Sequence, residues 1–157
     1  MYQAISETRT VAELLASARA EIRRFTPEEA RDATGEGALL IDIRPLEQRL
    51  RDGLLPGARL VDRNVLEWRL DPSCPHRDRS LTRGDEPVIL ICDEGYQSSL
   101  AAAVLGKLGV AAGDVIGGVQ AWNGDGLELE PLVGCDDMNR GEGSAFQSFD
   151  RGYGPSQ

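Results

Sequence analysis

Cys92-Asp93-Glu94-Gly95-Tyr96-Gln97-Ser98-Ser99 is the stretch of this chain best equipped to do chemistry. A cysteine is a strong nucleophile once it is a thiolate. The residues around it place this one where that state is favoured. Val88-Ile89-Leu90-Ile91, rich in β-branched residues and preceded by Pro87, predicts a short buried strand ending at Cys92. Leu100-Ala101-Ala102-Ala103-Val104-Leu105 predicts a helix beginning just after it. A turn between them aims several backbone N–H groups at one spot, and the helix dipole favours negative charge there. Gly95 suits a loop that curls tightly. The amides of Asp93, Glu94, Gly95, Tyr96, Gln97 and Ser98 are the candidate donors, with the Ser98 hydroxyl as an extra one. A cysteine at a strand end also serves as a small buried hydrophobe; the loop around Cys92 favours the reactive reading.

The elements that must position this loop can be followed along the chain. Thr10 with Glu13 three residues on reads as a capping box. Val11, Leu14, Leu15, Ala18 and Ile22 then recur at helical spacing, predicting an apolar face packed on the domain or a partner. Glu21, Arg23 and Arg24 read as a solvated face. Thr26-Pro27-Glu28-Glu29 starts a second helix that stops near Gly35. Ala38 to Arg44 is an apolar run turning polar at Asp42 and Arg44, a buried strand with its carboxyl end near the active edge. Those two residues could orient the loop or a substrate; the alternative is a structural ion pair, with Glu47 as the expected partner of Arg44. A short helix at Leu46–Leu50, a strand after Pro56-Gly57 and a helix from Asn64 to Leu70 follow, with Trp68 and Trp122 expected in the core. Asp71 to Glu86 reads as a surface loop. Asp114-Val115-Ile116 reads as a last strand, and Gly117-Gly118 opens a final short helix.

Alternating strands and helices argue for an α/β domain with a parallel sheet covered on both faces, and such sheets place ligands at the carboxyl ends of their strands. Residues 1–21 read as a helical extension, 22–130 as the domain and 131–157 as a Gly-rich polar tail, expected to be flexible. A net charge of −9 over 157 residues argues against nucleic acid and against anionic membrane surfaces. No run approaches the length of a membrane span and no leader pattern is visible, so a cytoplasmic protein is expected. Three scattered cysteines do not form a disulfide framework, and one histidine leaves little for a metal site. Cys74, in Pro-Ser-Cys-Pro-His, reads as an ordinary loop cysteine, and Cys135 lies in the tail.

Four stretches, in order, resemble the rhodanese-like (sulfurtransferase) domain: Asp42-Ile43-Arg44, Gly53-Leu54-Leu55-Pro56-Gly57-Ala58, Cys92-Asp93-Glu94-Gly95-Tyr96-Gln97-Ser98 and Gly117-Gly118-Val119-Gln120-Ala121-Trp122. The resemblance implies a five-stranded parallel sheet flanked by helices. It also implies a persulfide formed on Cys92 and passed to a nucleophilic acceptor, with no metal or organic cofactor. Implied partners are a small sulfur donor and a thiol or protein acceptor, the chain acting as monomer or homodimer. The six-residue cradle from Cys92 to Gln97 resembles that of the sulfur-handling members; the phosphatase relatives carry one residue more, which counts against phosphate-ester or arsenate chemistry.

Two departures shape the expectation. Leu54 stands where the family usually has His, a packing or surface change. Gln97 stands where many active members have Arg, and a neutral amide grips an anionic donor less well than a guanidinium. Asp93 and Glu94 add negative charge beside the sulfur, so small dianionic donors should be disfavoured. The alternative to an enzyme is a non-catalytic binding or redox-sensing module with the acidic loop as its contact surface.

Overall fold

The computed structural model describes residues 8–81 and 84–132. In chain order the elements are α1 (Val11–Glu21), β1 (Arg24–Phe25), α2 (Pro27–Gly35), β2 (Leu39–Asp42), α3 (Leu46–Asp52) and β3 (Arg59–Leu60). A 3-10 turn, Arg63–Val65, leads into α4 (Leu66–Leu70), followed by β4 (Val88–Ile91), α5 (Gln97–Lys107), β5 (Ala112–Val115) and α6 (Gly118–Gly124). The five strands form one parallel sheet in the order β1-β5-β4-β2-β3. This is the expected α/β architecture, with the cysteine-bearing strand at its centre.

All four residues of β4 are buried, as a parallel strand covered on both faces requires. Alternation along the strand divides the core in two. Val88, Leu90 and Cys92 join Ile41, Leu66, Leu70, Ala101, Ala102 and Leu105 on the α5 side. Ile89 and Ile91 join Phe25, Leu40, Val115, Val119 and Trp122 on the other. Cys92 is therefore turned toward α5 by the same parity that buries Leu90.

The predicted capping box of Thr10 with Glu13 forms, and at the second predicted helix start Thr26 caps α2 and pairs with Glu29 in the same reciprocal way. The apolar stripe of α1 is only half used: Ala18 is buried and Ile22 packs on the core, but Val11 is 73% and Leu14 46% exposed. Trp68 is a correction of the same kind, being 56% exposed. In the five-residue α4, Leu66 and Leu70 stand one turn apart and take the buried face, so the residue midway between them points outward. β1 is the strand that no local pattern predicted; its two residues pair with Asp114 and Val115 of β5. Cys135 and nearly all of the predicted tail lie outside the described residues.

These burials set a contrast. Leu105→Ala empties a fully buried site and should cost about 2–5 kcal/mol. Val11→Ala, on the uncovered end of α1, should stay within about 0.5 kcal/mol of the parent. Urea unfolding of the two variants measures both.

Candidate active site

Cys92 follows the last residue of β4 and is 6% exposed. The chain then curls so that backbone groups converge on its sulfur. The Gly95 N–H donates to Cys92 Sγ at 3.1 Å and the Ser98 N–H at 3.4 Å. Of the amides offered by the sequence, these two are brought onto the sulfur. The Ser98 hydroxyl lies 3.2 Å from Sγ and donates in turn to Asp114 Oδ2 at 2.9 Å. α5 starts at Gln97, so its first N–H groups and the positive end of its dipole face the cysteine.

Two glycines make this curl possible. Gly95 has φ +82°, and a Cβ there would come 2.7 Å from Gly117 N. Gly118, at φ +60°, approaches the Cys92 and Asp93 carbonyls so closely that any Cβ would collide with backbone. That approach lets the Val119 and Gln120 N–H groups donate to the Cys92 and Asp93 carbonyls at 2.9 and 3.0 Å. The Gly117-Gly118 pair thus fastens the start of α6 to the cysteine loop.

Behind the loop sits Asp114, fully buried. Ser98 and Ser99 hydroxyls donate to its Oδ2 at 2.9 and 2.7 Å, and Arg24 donates through Nε to Oδ1 at 2.8 Å and through Nη2 to Oδ2 at 3.2 Å. Arg24 is therefore not part of a solvated face. Neither it nor Asp114 carried a local signal, because β1 and β5 are 90 residues apart at this pair. Arg23 does remain exposed, its guanidinium 4.3 Å from the Phe25 ring centroid.

In front of the sulfur is a cavity of about 350 Å³ bounded by Ile43, Arg44, Pro45, Gln48, Arg63, Cys92, Asp93, Glu94, Tyr96 and Gln97. Glu94, Tyr96 and Gln97 form an exposed rim. Asp42 and Arg44 form a buried ion pair, 2.8 Å between Nη2 and Oδ2, so the partner of Arg44 is Asp42 and not Glu47. Arg44 also donates to the Gly53 carbonyl at 2.8 Å, tying the end of β2 to the end of α3. The pair is structural in these contacts, while Arg44 also reaches the cavity wall. Arg63, for which the sequence carried no signal, brings a cation to the same cavity; its Nη1 donates to Glu67 Oε1 at 2.7 Å and its buried Nε has no hydrogen-bond partner among the described residues.

Asp93 is less of a burden on the cysteine than expected. Arg51 and Gln120 donate to its Oδ1 at 2.7 and 2.8 Å. Arg51 also grips Asp52, at 2.6 Å, which holds the Asp52 carboxyl below the usual carboxylate range. Leu54, in the position that usually holds His, makes a backbone bridge with Glu130. Cys74 sits half-buried in its loop, away from this site.

Comparison with known proteins fits this geometry. The family model for the rhodanese-like domain matches residues 26–125. The chain belongs to the rhodanese-like domain family. It is 30% identical over 103 residues to the thiosulfate sulfurtransferase GlpE of Ectopseudomonas mendocina, covering 65% of this chain and 85% of that protein. Among solved structures, a protein of unknown function from Rhodopseudomonas palustris, described as a possible tyrosine phosphatase, aligns with TM-score 0.72 and 28% identity over 83% of this chain and 99% of its own. A rhodanese-related protein from Thermoplasma volcanium shares the fold, with TM-score 0.57 and 19% identity over 70% of this chain and 99% of its own. The rhodanese-like match begins after α1 and β1, so Arg24 lies outside it although its side chain supports the loop. Among the described residues, no helix is long and apolar enough to cross a membrane.

The lowered pKa of Asp52 has a consequence for acid stability. Its contribution is complete above the ordinary carboxylate value of about 3.9 and is lost as the pH falls through the lower folded value. Asp52→Asn should be less stable than the parent at neutral pH, with the gap closing below about pH 4. Urea midpoints of both proteins from neutral to strongly acidic pH check this; a constant gap would show that the charge on Asp52 is not what holds the contact.

Proposed function

We propose that the chain is a sulfurtransferase that carries a sulfane sulfur on Cys92. The observation that supports this reading is the pair of N–H groups on the Cys92 sulfur at the floor of a cavity large enough for a small molecule. In the first half-reaction the Cys92 thiolate attacks the outer sulfur of a donor such as thiosulfate. A new S–S bond forms, the donor's S–S bond breaks, and sulfite departs with the electron pair. The charge then resides on the terminal sulfur of the persulfide, where the peptide N–H groups and the start of α5 oppose it. In the second half-reaction an acceptor thiolate attacks that terminal sulfur and Cys92 leaves as the thiolate again. No cofactor is needed for either step.

The rim formed by Glu94, Tyr96 and Gln97 is where the acceptor, a small thiol or a protein thiol, would approach. A reducing compartment such as the cytoplasm keeps both thiols available. Asp42 and Arg44 support the cavity wall. Arg63 supplies a cation within the cavity, part of what Gln97 lacks, so an anionic donor is not shut out.

The deciding measurement is sulfur loading. After incubation with thiosulfate, 3-mercaptopyruvate or a low-molecular-weight persulfide, peptide mass spectrometry should find one added sulfur atom on Cys92 and none on Cys92→Ser. No adduct with any donor, together with a Cys92 inert to alkylation at neutral pH, would favour the non-catalytic binding or redox-sensing module. Turnover of an aryl phosphate would favour the phosphatase-type chemistry that the six-residue cradle argues against. Gln97→Arg should raise the rate of loading from thiosulfate severalfold, because a guanidinium at the rim grips two of the anion's oxygens with a full positive charge where an amide offers only neutral N–H groups. An unchanged rate in the folded variant would mean that the rim cation is not limiting.

A further inference from the structure

We propose that Arg19, on the helix preceding the family-matched segment, is a positioning residue for the cysteine loop. It holds the Gly95–Tyr96 peptide so that the Tyr96 N–H is turned to the cavity side. The proposal rests on the reading of Cys92 as a sulfur carrier for its function, though its physical content is tested without sulfur transfer.

The Gly95 carbonyl is the meeting point of donors from three elements. It accepts from Arg19 Nη2 at 2.8 Å, from Arg24 Nη2 at 3.3 Å and from Ser99 Oγ at 3.1 Å. A carbonyl oxygen has two lone pairs, so three donors converging on it exceed what closing a turn requires. The reason lies in the residue itself. Gly95, at φ +82°, has no side chain to restrict its own ψ, so the direction of its carbonyl is set by the donors that meet it together with the negative φ that Tyr96 keeps. Whatever pins the carbonyl therefore chooses the direction of the next N–H. In a trans peptide the two point opposite ways. With the Gly95 oxygen drawn back toward the two guanidiniums, the Tyr96 N–H faces forward, beside the Gly95 and Ser98 N–H groups that already reach Cys92 Sγ.

Arg19 contributes differently from Arg24. The charge of Arg24 is matched by Asp114 in a two-point contact. The hydrogen-bond partners of Arg19 among the described residues are the Gly95 carbonyl and the Ser99 hydroxyl, the latter at 3.2 Å from Nε, and both are neutral. Its guanidinium also lies 5.6 Å from the Tyr96 ring centroid, steadying the residue whose N–H it orients. A cation that makes no direct ion pair among the described residues thus stands behind the loop and acts through an aligned peptide. On the cavity side the charges are Arg44 with Asp42, Arg63 with Glu67, Asp93 with Arg51, and the exposed Glu94. The position of Arg19 is set by α1 itself: the capping box starts the helix, Ala18 is buried and Ile22 packs on the core.

The test compares Arg19→Met and Arg19→Lys in the full chain, with the exposed Arg31→Gln as a control for loss of one positive charge. Three quantities are read: the pH profile of Cys92 alkylation by iodoacetamide, assigned by peptide mass spectrometry; the single-turnover rate of sulfur loading from thiosulfate; and the urea midpoint. In Arg19→Met the alkylation profile should move to higher pH and loading should slow roughly tenfold, as expected when one donor to a developing anion is misdirected. Arg19→Lys, which keeps the charge but not the fork that reaches the Gly95 carbonyl and the Ser99 hydroxyl together, should recover part of both, and Arg31→Gln should match the parent. A parental profile and rate in Arg19→Met, or a lowered urea midpoint with neither changed, would overturn the proposal and leave Arg19 a strut. If the Met variant does not fold, the Lys variant decides: a smaller shift in the same direction supports the proposal, and an unaltered profile overturns it. A shifted alkylation profile in a protein that loads no sulfur from any donor would uphold Arg19 and defeat the sulfurtransferase reading alone.

Discussion

A carboxylate removed from water must be met by hydrogen bonds and countercharge, and the back of this site is arranged to do that for Asp114. The residue has no solvent exposure and receives the Arg24 guanidinium and two serine hydroxyls. Those three donors come from the first strand and from the first turn of the helix after the cysteine. Removing any of them leaves buried polarity unpaired, so edge strand, central loop and helix start are held to one geometry. The cysteine gains its orientation from a charge it never touches, through Ser98.

The second buried pair, Asp42 with Arg44, does a similar task on the opposite side. It closes the end of β2 and, through the Gly53 carbonyl, fixes the chain as it leaves α3. The cavity lies between these two anchored walls. Its electrostatics are balanced pair by pair, each acid near the sulfur being met by an arginine or an amide from another element, apart from the exposed Glu94. A mouth that looks acidic in one dimension is close to neutral in three.

How much of this the residues announced depends on range. The alternation Val88, Leu90, Cys92 was enough to place the cysteine at a strand end and on one face, and the capping boxes marked two helix starts to the residue. The motif at Gly117-Gly118 was one of four that together resembled the family, and its physical meaning is a backbone approach that excludes any side chain. What stayed hidden was long-range. A two-residue strand has no period to detect, so β1 exists only through its pairing with β5. Arg24 looked solvated because its carboxylate is distant in sequence, and Arg44 was assigned Glu47, three residues on, whereas the strand end folds its side chain back on Asp42, two residues before it. Trp68 was misplaced because a helix of five residues has room for one buried face, and two leucines occupy it.

The cysteine loop also carries an implication for where this domain begins. The segment that defines the family, 26–125, contains every residue of the loop and of the cavity in front of it. A polypeptide cut at that boundary would retain the nucleophile and shed both guanidiniums that grip the Gly95 carbonyl, leaving Asp114 buried beside two hydroxyls and no cation. For this chain the functional unit is therefore longer than the recognisable one, and its missing part is a helix and a two-residue strand that act from behind.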